Sequence, residues 1–353
     1  MLTGRESLQE LYNYPMERVA VVYGSAFSEE HRDLFEQIFK KKDIRFIQKS
    51  WKGEPTIAGL AETMKEIEEY QPDAFIAFGG GAVIDGIKLC RLYYELPFYD
   101  INLTRIRNEV LKTKFIAIPT TVGSGAEVSS AAVLWNEEKH RKEMVVLHEL
   151  QPDVVVYDER YVKGVSAKNL YSSILDGMSH IIEGYVSVVA NSFVELLGEK
   201  GLSVFREQLL RDDGMDFSAL QYAGCVGGIV QNHCIVGAAH AIAHQLWKYG
   251  FSHGEAVGIL LPSVIRVNCE SKDCAERYHK LAKGAGFVNK DDMLSSIEDV
   301  LCKSGIGNRK FELKSIIQDK SDTLIDNIKE DRGGKGNPIP ITMQYIEKVL
   351  ENL

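Results

Sequence analysis

The chain has 353 residues, too many for one ordinary domain and suited to two. Hydrophobic residues make up 45% of it and charged residues 26%, a globular balance that can bury a large core. A formal net charge of −9 argues against nucleic acid or an anionic membrane as the main partner, and no apolar run approaches the roughly 20 residues that span a bilayer.

The first half alternates strand-like and helix-like segments. Residues 18–24 form a β-rich run ending at Gly24. Residues 28–42 place Leu34, Phe35, Ile38 and Phe39 at helical spacing behind a Ser28 cap. A strand follows at 44–48, a helix at 56–70, a buried strand at 73–78 and a helix at 82–94. Further strands are expected at 114–121 and 153–158. Strands alternating with helices imply a parallel sheet covered on both faces. After about residue 165 the texture becomes helical, with segments at 167–188, 193–211, 217–245, 254–268, 272–286, 290–304 and 340–352. These patterns predict an α/β domain over 1–163 and an all-helical domain over 164–353. Residues 331–340, DRGGKGNPIP, read as the one flexible stretch, because Pro338 and Pro340 stop any helix.

The six cysteines include no CxxC pair, and the first residues, MLTGRESLQELYNY, contain no basic leader before an apolar run. Free thiols in a reducing, cytoplasmic setting are the expectation.

Two polar loops suit a dinucleotide. Gly79, Gly80 and Gly81 lie between strand 73–78 and helix 82–94, where glycines admit close approach of a ligand and a helix N-terminus offers unpaired N–H groups to a pyrophosphate. A bare GGG also makes an ordinary tight turn. Thr120, Thr121, Gly123, Ser124 and Gly125 follow strand 114–119 at a second strand end, where ligands of doubly wound sheets bind. The usual first-strand GxGxxG is absent, since residues 23–26 read YGSA. After strand 44–48, where an acid would favour NAD and a cation NADP, stand Gln48, Lys49, Ser50 and Lys52, with no acid before Glu54. This favours NADP over NAD.

A second constellation suits a metal. Asp176 and His180 are four apart on a helical pattern and share a face. Four of the nine histidines, His233, His240, His244 and His253, fall within 21 residues among alanines and glycines. Asp176, His180, His240 and His253 can make a four-ligand shell for Zn²⁺, or an open one for Fe²⁺ that leaves a place for substrate. His240, His244 and His253 can also supply three ligands without Asp176. Most single histidines are packed or solvated, but this clustering favours a metal site.

The order GGG…D (79–85), IPTTVGSGAE (118–127), EEKHRK (137–142), LDGMSHIIEGY (175–185) and HAIAHQLWKYGFSHG (240–254) resembles the iron-containing, or group III, alcohol dehydrogenase family. The resemblance runs from GRESLQEL (4–11) to GNPIPIT (336–342). It implies the iron-containing alcohol dehydrogenase, or dehydroquinate synthase-like, fold. It also implies Asp176, His180, His240 and His253 as metal ligands, with His244 beside nicotinamide and substrate. Gly79, Gly80 and Gly81 match the phosphate loop, Thr120 and Thr121 the threonine loop, and Lys142 the lysine that reaches the cofactor ribose. Ala82 stands where many members have serine. Lys49 stands about where NAD-preferring members have aspartate, which agrees with NADP. The expected chemistry is hydride exchange between NADP or NAD and a primary alcohol or aldehyde polarised by Fe²⁺ or Zn²⁺, with His244 passing the alcohol proton. A homodimer acting on a small molecule is implied.

Two rivals remain at this level. One is a glycerol dehydrogenase- or dehydroquinate synthase-like enzyme acting on a polyol or sugar-derived substrate. The other is a cofactor-free metal hydrolase with Glu183 or Glu255 as general base.

Overall fold

The structure is a computed structural model that describes residues 1–100, 111–319 and 322–353. The chain forms two compact units, one of residues 1–121 with 126–165 and one of residues 122–125 with 166–353.

The first unit carries strands β1 (Leu2–Thr3), β2 (Arg18–Tyr23), β3 (Asp43–Gln48), β4 (Ala74–Gly79), β5 (Lys114–Pro119), β6 (Ala131–Asn136), β7 (Arg141–Val146) and β8 (Val154–Tyr157). Six make a sheet in the order β1-β8-β5-β4-β2-β3, with all neighbours parallel. Alternate residues of each strand enter opposite cores, as the two-residue period of a strand requires. Ala20, Val22, Phe75, Ala77, Phe115 and Ala117 face one cluster, while Val19, Val21, Ile76, Phe78, Ile116 and Ile118 face the other. Both faces are covered, so the strands read as continuous apolar runs, and every residue of β4 is buried.

Helices α1 (Ser7–Glu10), α2 (Glu29–Ile38), α3 (Ile57–Tyr70) and α4 (Gly81–Glu95) complete this unit. Ser28 caps α2 as expected, and Thr56, expected as the first helical residue, caps α3 instead. Helix α2 stops four residues short of the expected 42, with Phe39 as its C-cap outside the helical region, and Lys42 donates to the carbonyls of Tyr14 and Met16. The antiparallel pair β6–β7 has no counterpart in the expected elements; its tight turn is closed by the Asn136 side chain, which accepts from the Glu138 and Lys139 amides, with His140 at φ +50°.

The second unit is helical: α5 (Ala167–Val186), α6 (Ser192–Leu209), α7 (Phe217–His233), α8 (Ala238–Ala243), α9 (His253–Asn268), α10 (Lys272–Gly284), α11 (Lys290–Lys303), α12 (Lys310–Gln318), α13 (Asp322–Glu330) and α14 (Met343–Glu351). No helix among the described residues is long and apolar enough to cross a membrane. Residues 122–125 belong here because they thread between α5 and α7. A Cβ on Gly123 would lie 1.7 Å from the Ser173 carbonyl oxygen, and one on Gly224 would lie 1.8 Å from that of Val122.

Two expectations are corrected. The run 217–245 is broken into α7 and α8 at residues 234–237, where Gly237 adopts an extended conformation and caps the second helix. The stretch 331–340 is packed, with Asp331, Gly333, Gly336 and Asn337 buried and Gly333–Gly336 forming a 3₁₀ turn. Its glycines serve close contact: a Cβ on Gly336 would lie 2.1 Å from the Ile235 carbonyl oxygen.

Candidate metal centre and cofactor loops

Helix α5 brings Asp176, His180 and Glu183 to one buried face at i, i+4 and i+7. Opposite them, α8 presents His240 from its middle. His253 is the first residue of α9; Ser252 and Glu255 form a capping box around it.

The carboxylate oxygen Oδ1 of Asp176 is the point of convergence. It lies 3.8 Å from His180 Nε2, 3.7 Å from His240 Nε2 and 3.6 Å from His253 Nε2. These separations are too long for hydrogen bonds but match neighbouring ligands of one ion, whose bonds are about 2.0–2.2 Å each. Asp176, His180 and His240 keep their ligand atoms within 4.8 Å of one another. His253 joins from the more exposed side, its side chain 23% accessible. Asp176 Oδ1 and His240 Nε2 are buried without a hydrogen-bond partner among the described residues. Unsatisfied buried polar atoms are costly, and a divalent cation would satisfy both. The donor set therefore fits a metal ion.

The imidazoles are oriented from behind. His180 Nδ1 donates to the Gly123 carbonyl at 3.1 Å, which leaves Nε2 to face the centre. His240 Nδ1 bonds Glu183 Oε2, while Glu183 Oε1 accepts from the Ala239 amide at 2.8 Å. Burial holds His180 down at about 4, so it is neutral and ready to ligate. Burial also acts to lower His240, but the Glu183 and Asp176 carboxylates outweigh it and push the ring up to about 9. Glu255 is gripped by Arg309 at 3.0 Å and Lys168 at 2.9 Å, which fixes the start of α9 and with it His253.

His244 lies just past α8. Its Nδ1 is 3.0 Å from Asp331 Oδ2, and its ring stacks on that of His253 with centroids 5.3 Å apart. Asp331 was invisible to sequence reading. Glu183 was not: it sits at i+7 from Asp176 on the same helical face, a spacing that could have marked it as a backing residue.

In the first unit, β4 ends at Gly79, Gly80 caps α4, and Gly81 and Ala82 open it. Gly79 pairs with Pro119 across β4 and β5, and the Thr120 amide donates to the Gly79 carbonyl at 3.1 Å. The glycine and threonine loops thus lie side by side. A Cβ on Gly79 would fall 2.5 Å from Val83 Cγ2 and one on Gly80 would fall 3.0 Å from Thr121 Cγ2. Thr121 Oγ1 is buried without a hydrogen-bond partner among the described residues. Glycine backbone, a helix start with no side-chain cap and a buried hydroxyl make a cradle that fits a pyrophosphate.

Comparison with known proteins now decides the family. The model described as iron-containing alcohol dehydrogenase matches residues 1–159, and that of the Fe-containing alcohol dehydrogenase family, C-terminal, matches residues 171–353. The chain belongs to the iron-containing alcohol dehydrogenase family. It is similar to an NADPH-dependent butanol dehydrogenase of Clostridium saccharobutylicum, 26% identical over 99% of this chain and 94% of the relative. A 1-propanol dehydrogenase of Salmonella typhimurium is 27% identical over 85% of this chain and 83% of the relative. Among solved structures, an iron-containing alcohol dehydrogenase from Thermococcus thioreducens superposes with a TM-score of 0.89 at 26% identity, covering 99% of this chain and 97% of that one. As a family member the chain is a metal-dependent oxidoreductase of the alcohol dehydrogenase type. The two carboxylates that a hydrolase would need as a base, Glu183 and Glu255, are both committed to neighbours.

The remaining expected cofactor residues of this alcohol dehydrogenase are placed as follows. Lys49 follows β3; its ammonium lies 5.2 Å from the Trp51 ring and donates to the Trp51 carbonyl, and burial, opposed by Glu54, lowers its pKa. Ser50 gives its hydroxyl to the Gly59 carbonyl at 2.6 Å and shares a bond with Thr63 Oγ1 at 2.8 Å, tying the β3–α3 loop together. Lys142 on β7 pairs with Glu54 at 2.8 Å, so the acid that follows β3 is neutralised. Ser124 sits in the helical unit, where its carbonyl accepts from Gln231 at 2.8 Å.

Proposed function

We propose that Asp176, His180, His240 and His253 hold one divalent cation, Fe²⁺ ahead of Zn²⁺, in an enzyme that interconverts small primary alcohols and aldehydes with NADP(H). The single observation that carries the reading is the convergence of three imidazole Nε2 atoms on one buried carboxylate oxygen at 3.6–3.8 Å. When bound, the cation supplies Lewis acidity to a substrate oxygen and the nicotinamide exchanges the hydride.

The protein's own groups do the rest. Gly79, Gly80, Gly81 and Ala82 offer backbone N–H groups to the pyrophosphate, and Thr120 and Thr121 stand beside them. Lys49, with Glu54 silenced by Lys142, favours the 2′-phosphate of NADP over a bare ribose; the NADPH-dependent Clostridium relative supports the same choice. His244 handles the alcohol proton. Residues 1–163 act as the dinucleotide-binding domain and 164–353 as the metal-binding catalytic domain. The six free cysteines suit a cytoplasmic setting, and a homodimer is the proposed assembly.

An aldehyde panel with NADPH oxidation monitored, on metal-stripped and metal-restored protein, tests this. Activity should vanish on stripping and return with Fe²⁺ or Zn²⁺. Turnover unaffected by stripping would contradict it.

A further inference from the structure

The 331–337 segment plays no part in the chemistry above, yet it is built around His244. Asp331 receives three donors: His244 Nδ1 at 3.0 Å on Oδ2 and 3.2 Å on Oδ1, Gln245 Nε2 at 3.2 Å, and the Gly333 amide at 2.8 Å. Both Asp331 and His244 are buried, and they are 87 residues apart in the chain. A carboxylate only accepts, so the hydrogen of the His244–Asp331 bond resides on Nδ1. The ring is held on further sides. It stacks on His253 at an interplanar angle of 17°, and a Cβ on Gly333 would lie 3.5 Å from His244 Cε1. The same segment braces α8, since Asn337 Oδ1 accepts from the Ala238 amide at 3.3 Å and the Gly334 Cβ position lies 3.1 Å from Ala241 Cβ.

We propose that Asp331 is a positioning residue for His244: it fixes the Nδ1–H tautomer and the ring plane, so that Nε2 is presented as a hydrogen-bond acceptor to the alcohol. His244 Nε2 bonds to nothing among the described residues, which leaves that acceptor open. The inference rests on the reading of His244 given above. A purely packing role for Asp331 would require neither a particular tautomer nor a carboxylate.

The direct test is nitrogen NMR of the zinc-loaded enzyme labelled with ¹⁵N-histidine, with the His244 signals assigned by difference from His244→Gln. The Nδ1–H pattern is expected at neutral pH; an Nε2–H pattern overturns the proposal without the need for any Asp331 variant. Kinetics give a second readout. Asp331→Asn should lower kcat by ~100-fold or more, the direction seen when an orienting aspartate is lost, with zinc content kept and KM values within about threefold. Added to His244→Ala, it should change kcat by less than about twofold, since the two residues act as one unit. Unchanged kcat, additive losses, or loss of zinc in step with activity overturn it. If wild-type protein neither holds zinc nor oxidises NADPH with any aldehyde, the function reading falls and this inference with it; an active wild type carrying the other tautomer removes this inference alone.

Discussion

The centre in the helical unit is made of side chains, whereas the cradle in the α/β unit is made mostly of their absence. Asp176, His180 and His240 each project a donor atom, and the rings of His180 and His240 are held from behind by the Gly123 carbonyl and Glu183. At Gly79–Gly81 the groups proposed to bind are backbone N–H, and no Cβ intrudes between Val83 and Thr121. A side-chain site fails when a donor or its support is removed; a backbone site fails when an atom is added.

The sharpest break comes from Asp176→Ala. Removing the oxygen on which three imidazoles converge should abolish metal retention and lower kcat/KM by ~10³-fold or more, while NADPH affinity stays near wild type. Metal content by atomic absorption and calorimetric NADPH titration check both halves. A variant that loses NADPH binding as well would erase the distinction between the two regions.

Support behind a ligand is the next level. Glu183→Gln should weaken metal binding by about 10–100-fold. It should also change the pH dependence. The Glu183 and Asp176 carboxylates raise His240 to about 9, while His180 stays down at about 4. Below about 9 His240 carries a proton that an ion must displace, so metal affinity rises with pH and levels off near pH 9. In Glu183→Gln the levelling should move to lower pH. Competition titrations with a chelator from pH 6 to 9 measure it.

Addition of one carbon tests the backbone half. Gly79→Ala places a methyl 2.5 Å from Val83. Overpacking of this kind costs about 1–3 kcal/mol and should appear as a lower Tm and roughly tenfold weaker NADPH binding. In Gly79→Ala/Val83→Ala the Tm should recover; NADPH affinity recovers only if the methyl obstructs the fold and not the cofactor. The smallest expected effect is Thr121→Val. Its buried hydroxyl has no hydrogen-bond partner among the described residues, so Tm should hold or rise, while loss of one bond to a phosphate weakens NADPH by about tenfold. A fall in Tm with unchanged NADPH affinity would make Thr121 a structural residue.

Legibility in the sequence followed range. The strands β2, β4 and β5 are written as short unbroken apolar runs, and the shared face of Asp176 and His180 in a local period of nearly four residues. The β6–β7 ribbon was hidden because its turn is charged and β7 opens on Arg141, Lys142 and Glu143 rather than on an apolar run. The break between α7 and α8 carries no proline, and 217–245 stays apolar through it. Asp331 meets His244 across 87 residues, with no local pattern to announce it. Its neighbouring glycines looked like slack, when in fact they allow the backbone to press against residues 235–241. The same ambiguity hid the role of Ser50, whose hydroxyl is spent within the β3–α3 loop.

Anomalous diffraction at the iron edge from crystals of the Fe²⁺-loaded enzyme tests the central claim most directly. One peak per chain is expected, about 2.0–2.2 Å from Asp176 Oδ1 and from the Nε2 atoms of His180, His240 and His253. A peak at any other set of residues, or none at full iron loading, would contradict it.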